Sequence, residues 1–429
     1  MKNYKDNLFK LLSNEEDARA CKPLDDSACK VVPHNFMLTL FSQLFSQFAD
    51  ALLNPKVTLP WLLQSLQVPA VFISWLVPIR ESGSLLPQLA IASFIRKLPL
   101  RKWVWVFGSL TQALCMLALI AISFTLSGYE AGVAIIGTLI IFSLARGFNS
   151  IAAKDVLGKT IPKTQRGNLS GLTASLSGLA TVLFGLFFIF SDSRQDQTIL
   201  WALGLAAVMW LLAALSYGQI SEYKGATDGG KNGLKAALSK FRMIYEDSNF
   251  ALFLLTRTLL LCSALSAPFY IVLASEQAFD FAVLAIFMLV SGAASLVSAP
   301  IWGRLSDLSS KRVMALSSAL VAINAVTLYF SDLLYPQLLS SVWFLPLLYF
   351  ILSVAHQGVR LGRKTYIVNL AEGNKRTDYV AVGNTFTGIV LLILGSVGLL
   401  AEQLGALSLI LTFSSLSLLA IISSYFLKD

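Results

Sequence analysis

The sequence predicts an all-α polytopic membrane protein, and three observations carry that expectation. Hydrophobic residues make up 56% of the 429 positions while charged residues make up only 13%. A soluble domain is about 45–50% apolar and about 25% charged, so this chain lacks the charge to coat a water-facing surface. The apolar residues also fall in long uninterrupted runs rather than short alternating strands, which selects helices over a barrel because lipid offers no partner to an exposed backbone amide. Third, the basic residues alternate along the chain in step with those runs.

Twelve runs are long enough to span a bilayer: 36–56, 68–94, 103–125, 131–152, 168–190, 199–219, 250–273, 279–301, 313–330, 341–361, 380–400 and 404–426. The second is interrupted by Pro78, Arg80, Glu81 and Pro87. Of 33 Lys and Arg, 28 fall before residue 35, around 96–102, 154–166, 224–242, 304–312 and 360–376, or at Lys428. The opposite loops hold only Lys56 and Arg194, and Arg80, Arg146 and Arg257 lie inside runs. The positive-inside rule then places both termini in the cytoplasm. The net charge of +9 is therefore explained by the inner membrane surface, and no nucleic-acid partner is expected.

Four segments follow: a cytoplasmic start (1–34), a first six-helix bundle (35–220), a linker (221–249) and a second six-helix bundle (250–429). Tyr4, Leu8, Leu11 and Leu12 share one helical face beside Lys5 and Lys10, which suits either a short helix on the inner leaflet or a disordered tail. The linker opens with Gly225, Gly229, Gly230 and Gly233. It continues as a basic amphipathic stretch with Leu234, Leu238, Phe241 and Tyr245, suited to the anionic leaflet. Cys21, Cys29, Cys115 and Cys262 make no disulfide or metal pattern, and no cleavable leader is evident.

An offset of 210 residues superposes the halves without gaps. It pairs Arg101 and Lys102 with Lys311 and Arg312, Lys154 with Lys364, Arg166 with Arg376, and Gly178 with Gly388. Two parallel six-helix repeats are one known transporter architecture.

Between runs eight and nine stands Gly303-Arg304-Leu305-Ser306-Asp307-Leu308-Ser309-Ser310-Lys311-Arg312. It resembles the C-terminal copy of the major facilitator superfamily loop signature at Gly303, Asp307, Lys311 and Arg312, and departs from it at Leu308 and Ser310. The resemblance implies a two-bundle transporter in which these residues form a conformational latch. A carboxylate at a helix end beside cationic groups makes a contact that can break and reform; a plain basic turn is the alternative. The N-terminal copy, at 93–102, keeps Arg101 and Lys102 but has Ser93 and Lys97 at the Gly and Asp positions. The antiporter signature on run five is not matched. Gly171, Ser175, Gly178 and Gly185 there, and Ser291 to Ser295 on run eight, read as close helix packing.

Ionisable groups at membrane depth are costly and usually face a cavity or a partner. Asp50, Arg80, Glu81, Arg146, Arg257 and His356 meet that description, and the resemblance implies that runs one, four, seven and ten line the cavity. Asp50, Glu81 and His356 are candidates for carrying a coupling proton; a static carboxylate–Arg pair is the alternative for the first two. Arg80, Arg146 and Arg257 are candidates for an anionic or zwitterionic substrate, since arginine keeps its charge and offers a planar fork. Gln43 and Gln47, in line with Asp50 at i, i+4 and i+7, with Gln112, Asn149 and Asn384, add polar positions along the route.

The expected function is secondary active transport of a small solute or drug by alternating access, coupled to protons, by a monomer in a bacterial inner membrane. No phosphate-binding loop, cofactor or metal site is found. A lipid-acting enzyme would need clustered nucleophile, His and acid groups, and His34 and His356 stand far apart. A transporter-like sensor or a lipid-handling protein without ion coupling is the remaining alternative.

Overall fold

The computed structural model describes residues 31–87, 91, 94–95, 97–189, 195–224, 240–277, 282–370, 373–397 and 401–428. The amphipathic stretch expected in the first 30 residues, and most of the one expected in the linker, lie outside them. The described residues are helical or irregular, with no strand.

Helix α1 (Val32–Leu52) begins with Pro33 in its first turn, where a missing N–H costs nothing. It stops at Leu53. Asn54 then folds the chain back on itself: its side-chain oxygen accepts from the Lys56 amide at 2.9 Å, and its carbonyl accepts from the Leu59 amide at 3.1 Å. The helix resumes as α2 (Thr58–Ser65), with Leu59, Trp61, Leu62 and Leu63 buried. This departs from the expected 36–56 run followed by an outer loop. Pro55 and the polar pair around it interrupt the helix, and the apolar residues beyond start a second one.

Next come α3 (Ala70–Leu85), α4 (Lys102–Thr125), α5 (Gly128–Thr160), α6 (Lys163–Ile189) and α7 (Gln195–Gly218). Pro78 sits inside α3. Helix α5 runs 33 residues, beyond the expected end at 152, and so carries Lys154, Asp155 and Lys159 on helix rather than loop. The second half opens with α8, in three pieces: Ser248–Leu259, Cys262–Leu265 and Ala267–Glu276. Asp247 caps it by accepting from the amides of Asn249 and Phe250 at 3.0 and 3.1 Å. Pro268 starts its last piece. The first helix of each half is therefore interrupted, at 53–57 and at 260–266. Then follow α9 (Ala282–Leu308), α10 (Ser310–Leu334), α11 (Phe344–Asn369), α12 (Gly373–Gly395) and α13 (Ala401–Tyr425).

Among the described residues, seven helical segments are long and apolar enough to cross a membrane: those in α4, α5, α7, α8, α10, α11 and α13. Shorter apolar stretches occupy Ser175–Leu186, Ile286–Ser298 and Val382–Gly395. Large apolar side chains such as Phe107, Phe124, Trp201, Leu215, Ile323 and Ile393 point outward, a surface far more apolar than water tolerates.

Within the first half α4 packs on α5 and α7, and α1 on α6 and α7; within the second, α11 packs on α9 and α10, and α13 on α10. The halves meet along α3 with α12 and α6 with α9. Small residues allow this approach: Gly388 and Gly395 lie against Leu86 and Trp75, and Gly178 and Gly292 against Leu296 and Val182. The Ser74 and Ser82 hydroxyls donate across the seam to the carbonyls of Gly395 and Gly388 at 3.0 and 2.8 Å. Packing was the reading favoured for the small residues of runs five and eight. At one end α2 also packs on the last piece of α8. At the other, α5 and α11 do not pack extensively among the described residues, and their like charges Lys154 and Lys364 lie within Coulombic reach.

Candidate functional site

The charged residues inside the helices form two groups. The first belongs to one half. Asp50, near the end of α1, receives Arg80 of α3 at 2.6 Å on one carboxylate oxygen and Arg146 of α5 at 3.4 Å on the other. Arg80 is 2% exposed, with Phe142 beneath it, 4.8 Å from ring centroid to guanidinium carbon. Arg146 is 37% exposed along its side chain. A buried guanidinium needs a counter-charge, and Asp50 supplies it for Arg80 while drawing Arg146 inward. This is the static pair weighed against the proton role for Asp50.

The second group bridges the halves. The interruption after α1 turns Lys56 inward, and its ammonium lies 2.8 Å from Nε2 of His356 on α11. The other ring nitrogen, Nδ1, lies 3.0 Å from the hydroxyl of Ser263, in the interruption of α8. An ammonium has no lone pair, so Lys56 donates to Nε2; a neutral His356 then carries its proton on Nδ1, facing Ser263. Two broken helices, one from each half, thus meet on a single imidazole. The sequence assigns Lys56 to an outer loop; the structure places it in the interruption between α1 and α2, with its ammonium on His356.

Around this contact the charge is one-sided. Glu81 of α3, with Arg360 and Arg363 of α11, lies within Coulombic reach of Lys56. Arg363 also feels Glu81, Arg360 and Arg257 of α8. His356, Arg360 and Arg363 fall at i, i+4 and i+7, one stripe of α11. The sequence counts Arg360 and Arg363 with a cytoplasmic loop; α11 continues to Asn369 and carries both on the helix, Arg360 exposed and Arg363 half-buried. Arg257 is 8% exposed and donates to Asn384 of α12 at 2.9 Å, while its Nε has no partner. Gly383 leaves the room for it, since a Cβ there would sit 3.0 Å from a guanidinium nitrogen.

The remaining sequence candidates divide. Gln47 accepts from Ser177 of α6 at 3.1 Å, beside the partly exposed Gln43. Asn149 faces inside its own half, where it donates to Gln112 at 2.7 Å and Ser109 at 3.2 Å; the bonds tie α5 to α4. In the loop at 303–312, Ser309 caps α10 by accepting from the Arg312 amide, and Lys311 donates to the Leu427 carbonyl at 3.3 Å. The Asp307 side chain lies outside the described residues.

The sequence alone did not single out Glu222. Its fully buried carboxylate accepts from the amides of Arg101 and Lys102 at the start of α4, at 2.7 to 3.0 Å, and from Lys159 at 2.9 Å. Asp155 joins through Arg101 and Lys159. An anion at a helix N-terminus is favoured by the exposed amides and the helix dipole. The degenerate N-terminal loop is thus closed by a clasp within the first half.

Groups of three or more His, Cys, Asp or Glu suited to a metal are absent among the described residues. No protein-family profile and no curated protein matches the sequence. Solved structures do match. A POT family transporter bound to a thioalcohol-conjugated peptide aligns over 91% of this chain and 95% of its own, with TM-score 0.68 and 11% identity. The nucleoside transporter NupG aligns over 90% and 98%, with TM-score 0.65 and 14% identity. A D-xylose–proton symporter aligns over 92% and 96%, with TM-score 0.68 and 10% identity. These proteins are transporters, and identity this low speaks for architecture alone. The chain is an integral, multi-pass membrane protein with the fold of major facilitator-type transporters.

Proposed function

We propose that the protein is a proton-coupled secondary active transporter that moves a small anionic or zwitterionic solute by alternating access. The observation that carries this reading is the Lys56–His356–Ser263 contact, which joins the interrupted helices of both halves amid Glu81, Arg257, Arg360 and Arg363. Charges held at this depth are costly unless they bind something or move something. In this reading α1 with α2 is one crossing and α3 to α13 supply eleven more, as two repeats of six. Both termini face the cytoplasm of a bacterial inner membrane, and the described conformation is open to that side.

His356 and Glu81 are the proposed proton carriers. A further proton on the Lys56–His356 pair would set imidazolium against ammonium at hydrogen-bond distance, and like charges that close repel. The pair holds one positive charge while the contact stands. Taking up a second proton breaks the contact and releases the halves from each other, and the contact re-forms when that proton is given up; Glu81, within Coulombic reach of Lys56, is the proposed second carrier. Asp50, committed to Arg80 and Arg146, is proposed to hold helix register instead. Arg257 with Asn384 positions solute in the second half, and Gln43 and Gln47 face the route in the first. Gly303, Asp307, Lys311 and Arg312 remain the proposed latch at the open end.

The test is labelled-solute flux into proteoliposomes under an imposed pH gradient. Wild type accumulates its solute against a concentration gradient, and His356→Ala and Glu81→Gln lose accumulation while keeping exchange at equal pH. Full gradient-driven accumulation in both variants would refute the proton assignment. A sensor or lipid-handling protein would move no label at all.

A further inference from the structure

We infer that the central site takes a doubly charged oxyanion, such as a phosphomonoester or a dicarboxylate, rather than a monoanion or a zwitterion. The inference rests on the transport reading for its route, but the charge count stands without it. Arg257, Arg360 and Arg363 are cations; Arg257 and Arg360 lie within Coulombic reach of Arg363, and among the described residues Glu81 is the carboxylate within reach of Arg363. Three cations less one anion leave two positive charges before Lys56 is counted. None of the three arginines has an ion pair within 4 Å among the described residues. Arg257 is bonded to the neutral Asn384 and leaves its buried Nε without a partner.

The first half shows the contrast. There Asp50 already serves Arg80 and Arg146, so that group is largely satisfied without a ligand. On the second half the guanidinium groups are left open. Arg360 and Arg363 lie on the face of α11 that carries His356, which touches Lys56 of the opposite half, so they face the space between the halves rather than lipid. A guanidinium fork matches two oxygens of a phosphate or carboxylate, and two or three forks around one head favour charge of minus two over minus one. A monoanion leaves the site with positive excess, and a zwitterion brings an ammonium into it.

The experiment is ligand-dependent thermal stabilisation and calorimetry on the purified full-length protein at pH 8. The paired probes have similar size and different valence: glycerol 3-phosphate against glycerol, and succinate against butyrate and against glycine. At least one dianion should bind ten-fold or more tighter than its partner probe, and which one binds separates phosphate from dicarboxylate recognition. Arg360→Gln and Arg363→Gln should each weaken it at least ten-fold, while Arg363→Lys should retain more binding than Arg363→Gln. Glycerol, butyrate or glycine binding as tightly as the tighter of the two dianions, or no binding by either dianion, would overturn the inference. Proteoliposome flux separates the two claims. A dianion bound but never moved defeats the transport reading alone, and accumulation of a zwitterion defeats the valence inference alone.

Discussion

Replacing Asp50 by Asn removes the counter-charge of a guanidinium that is 2% exposed. In the native protein one Arg80 nitrogen bonds Asp50 at 2.6 Å, while Nε and the second terminal nitrogen have no partner. Unit charges at about 4 Å attract by about 4 kcal/mol at an effective dielectric of about 20, and leaving one buried partner alone typically costs about 3–5 kcal/mol. The Phe142 ring beneath the guanidinium returns about 1–2 kcal/mol of that. Arg146, 37% exposed, loses under about 1 kcal/mol because water screens it. The expected destabilisation is therefore about 1–4 kcal/mol, read by equilibrium unfolding in mixed micelles titrated with SDS. Arg146→Gln should cost under about 1 kcal/mol in the same assay. The double variant Asp50→Leu with Arg80→Met should recover most of the loss, because removing both charges leaves neither stranded. A loss below about 1 kcal/mol for Asp50→Asn, or no recovery in the double variant, would refute the assignment of Asp50 to helix register.

Glu222→Gln keeps the shape of the clasp but removes its charge from Lys159 and from the start of α4; the loss should be about 1–3 kcal/mol in the same unfolding assay. Lys56→Met should abolish accumulation driven by a pH gradient, and Lys56→Arg should retain part of it; equal accumulation in Lys56→Met and wild type would exclude the Lys56–His356 pair from coupling. A side chain at Gly395 meets Trp75 and Pro78 at 2.9 to 3.2 Å, so Gly395→Val should part α3 from α12. It should slow flux at least several-fold while the variant still elutes as folded protein; unchanged flux would mean that this seam need not stay tight.

Much of this arrangement was legible before the structure. Asp50, Arg80 and Arg146 stand out because a charge in an apolar run demands a partner, though nothing in the spacing said that they would satisfy one another. The small residues Gly178 and Gly292 were readable as packing. Lys56 was not, because Asn54-Pro55 carries every mark of a helix end, and the sequence does not signal that Leu59, Trp61 and Leu63 beyond it are buried in a further helix. Arg360 and Arg363 were absorbed into a count of basic loop residues. The spacing His356, Arg360, Arg363 already placed them on one face, and that was the signal to follow. Glu222 gave no signal at all, since its role is to accept from backbone amides 120 residues away.

The account depends on the space between the halves being wet and lined by α11. The most direct measurement is thiol accessibility at position 360. In a background with Cys21 and Cys29 replaced by serine, and Cys115 and Cys262 retained as buried residues, Arg360→Cys is exposed to a membrane-impermeant, water-soluble thiol reagent in oriented vesicles. Rapid labelling from the cytoplasmic side, and much slower labelling from the other side, is expected. Absence of labelling from either side, with labelling only by a lipid-soluble reagent, would place Arg360 against the acyl chains and contradict it.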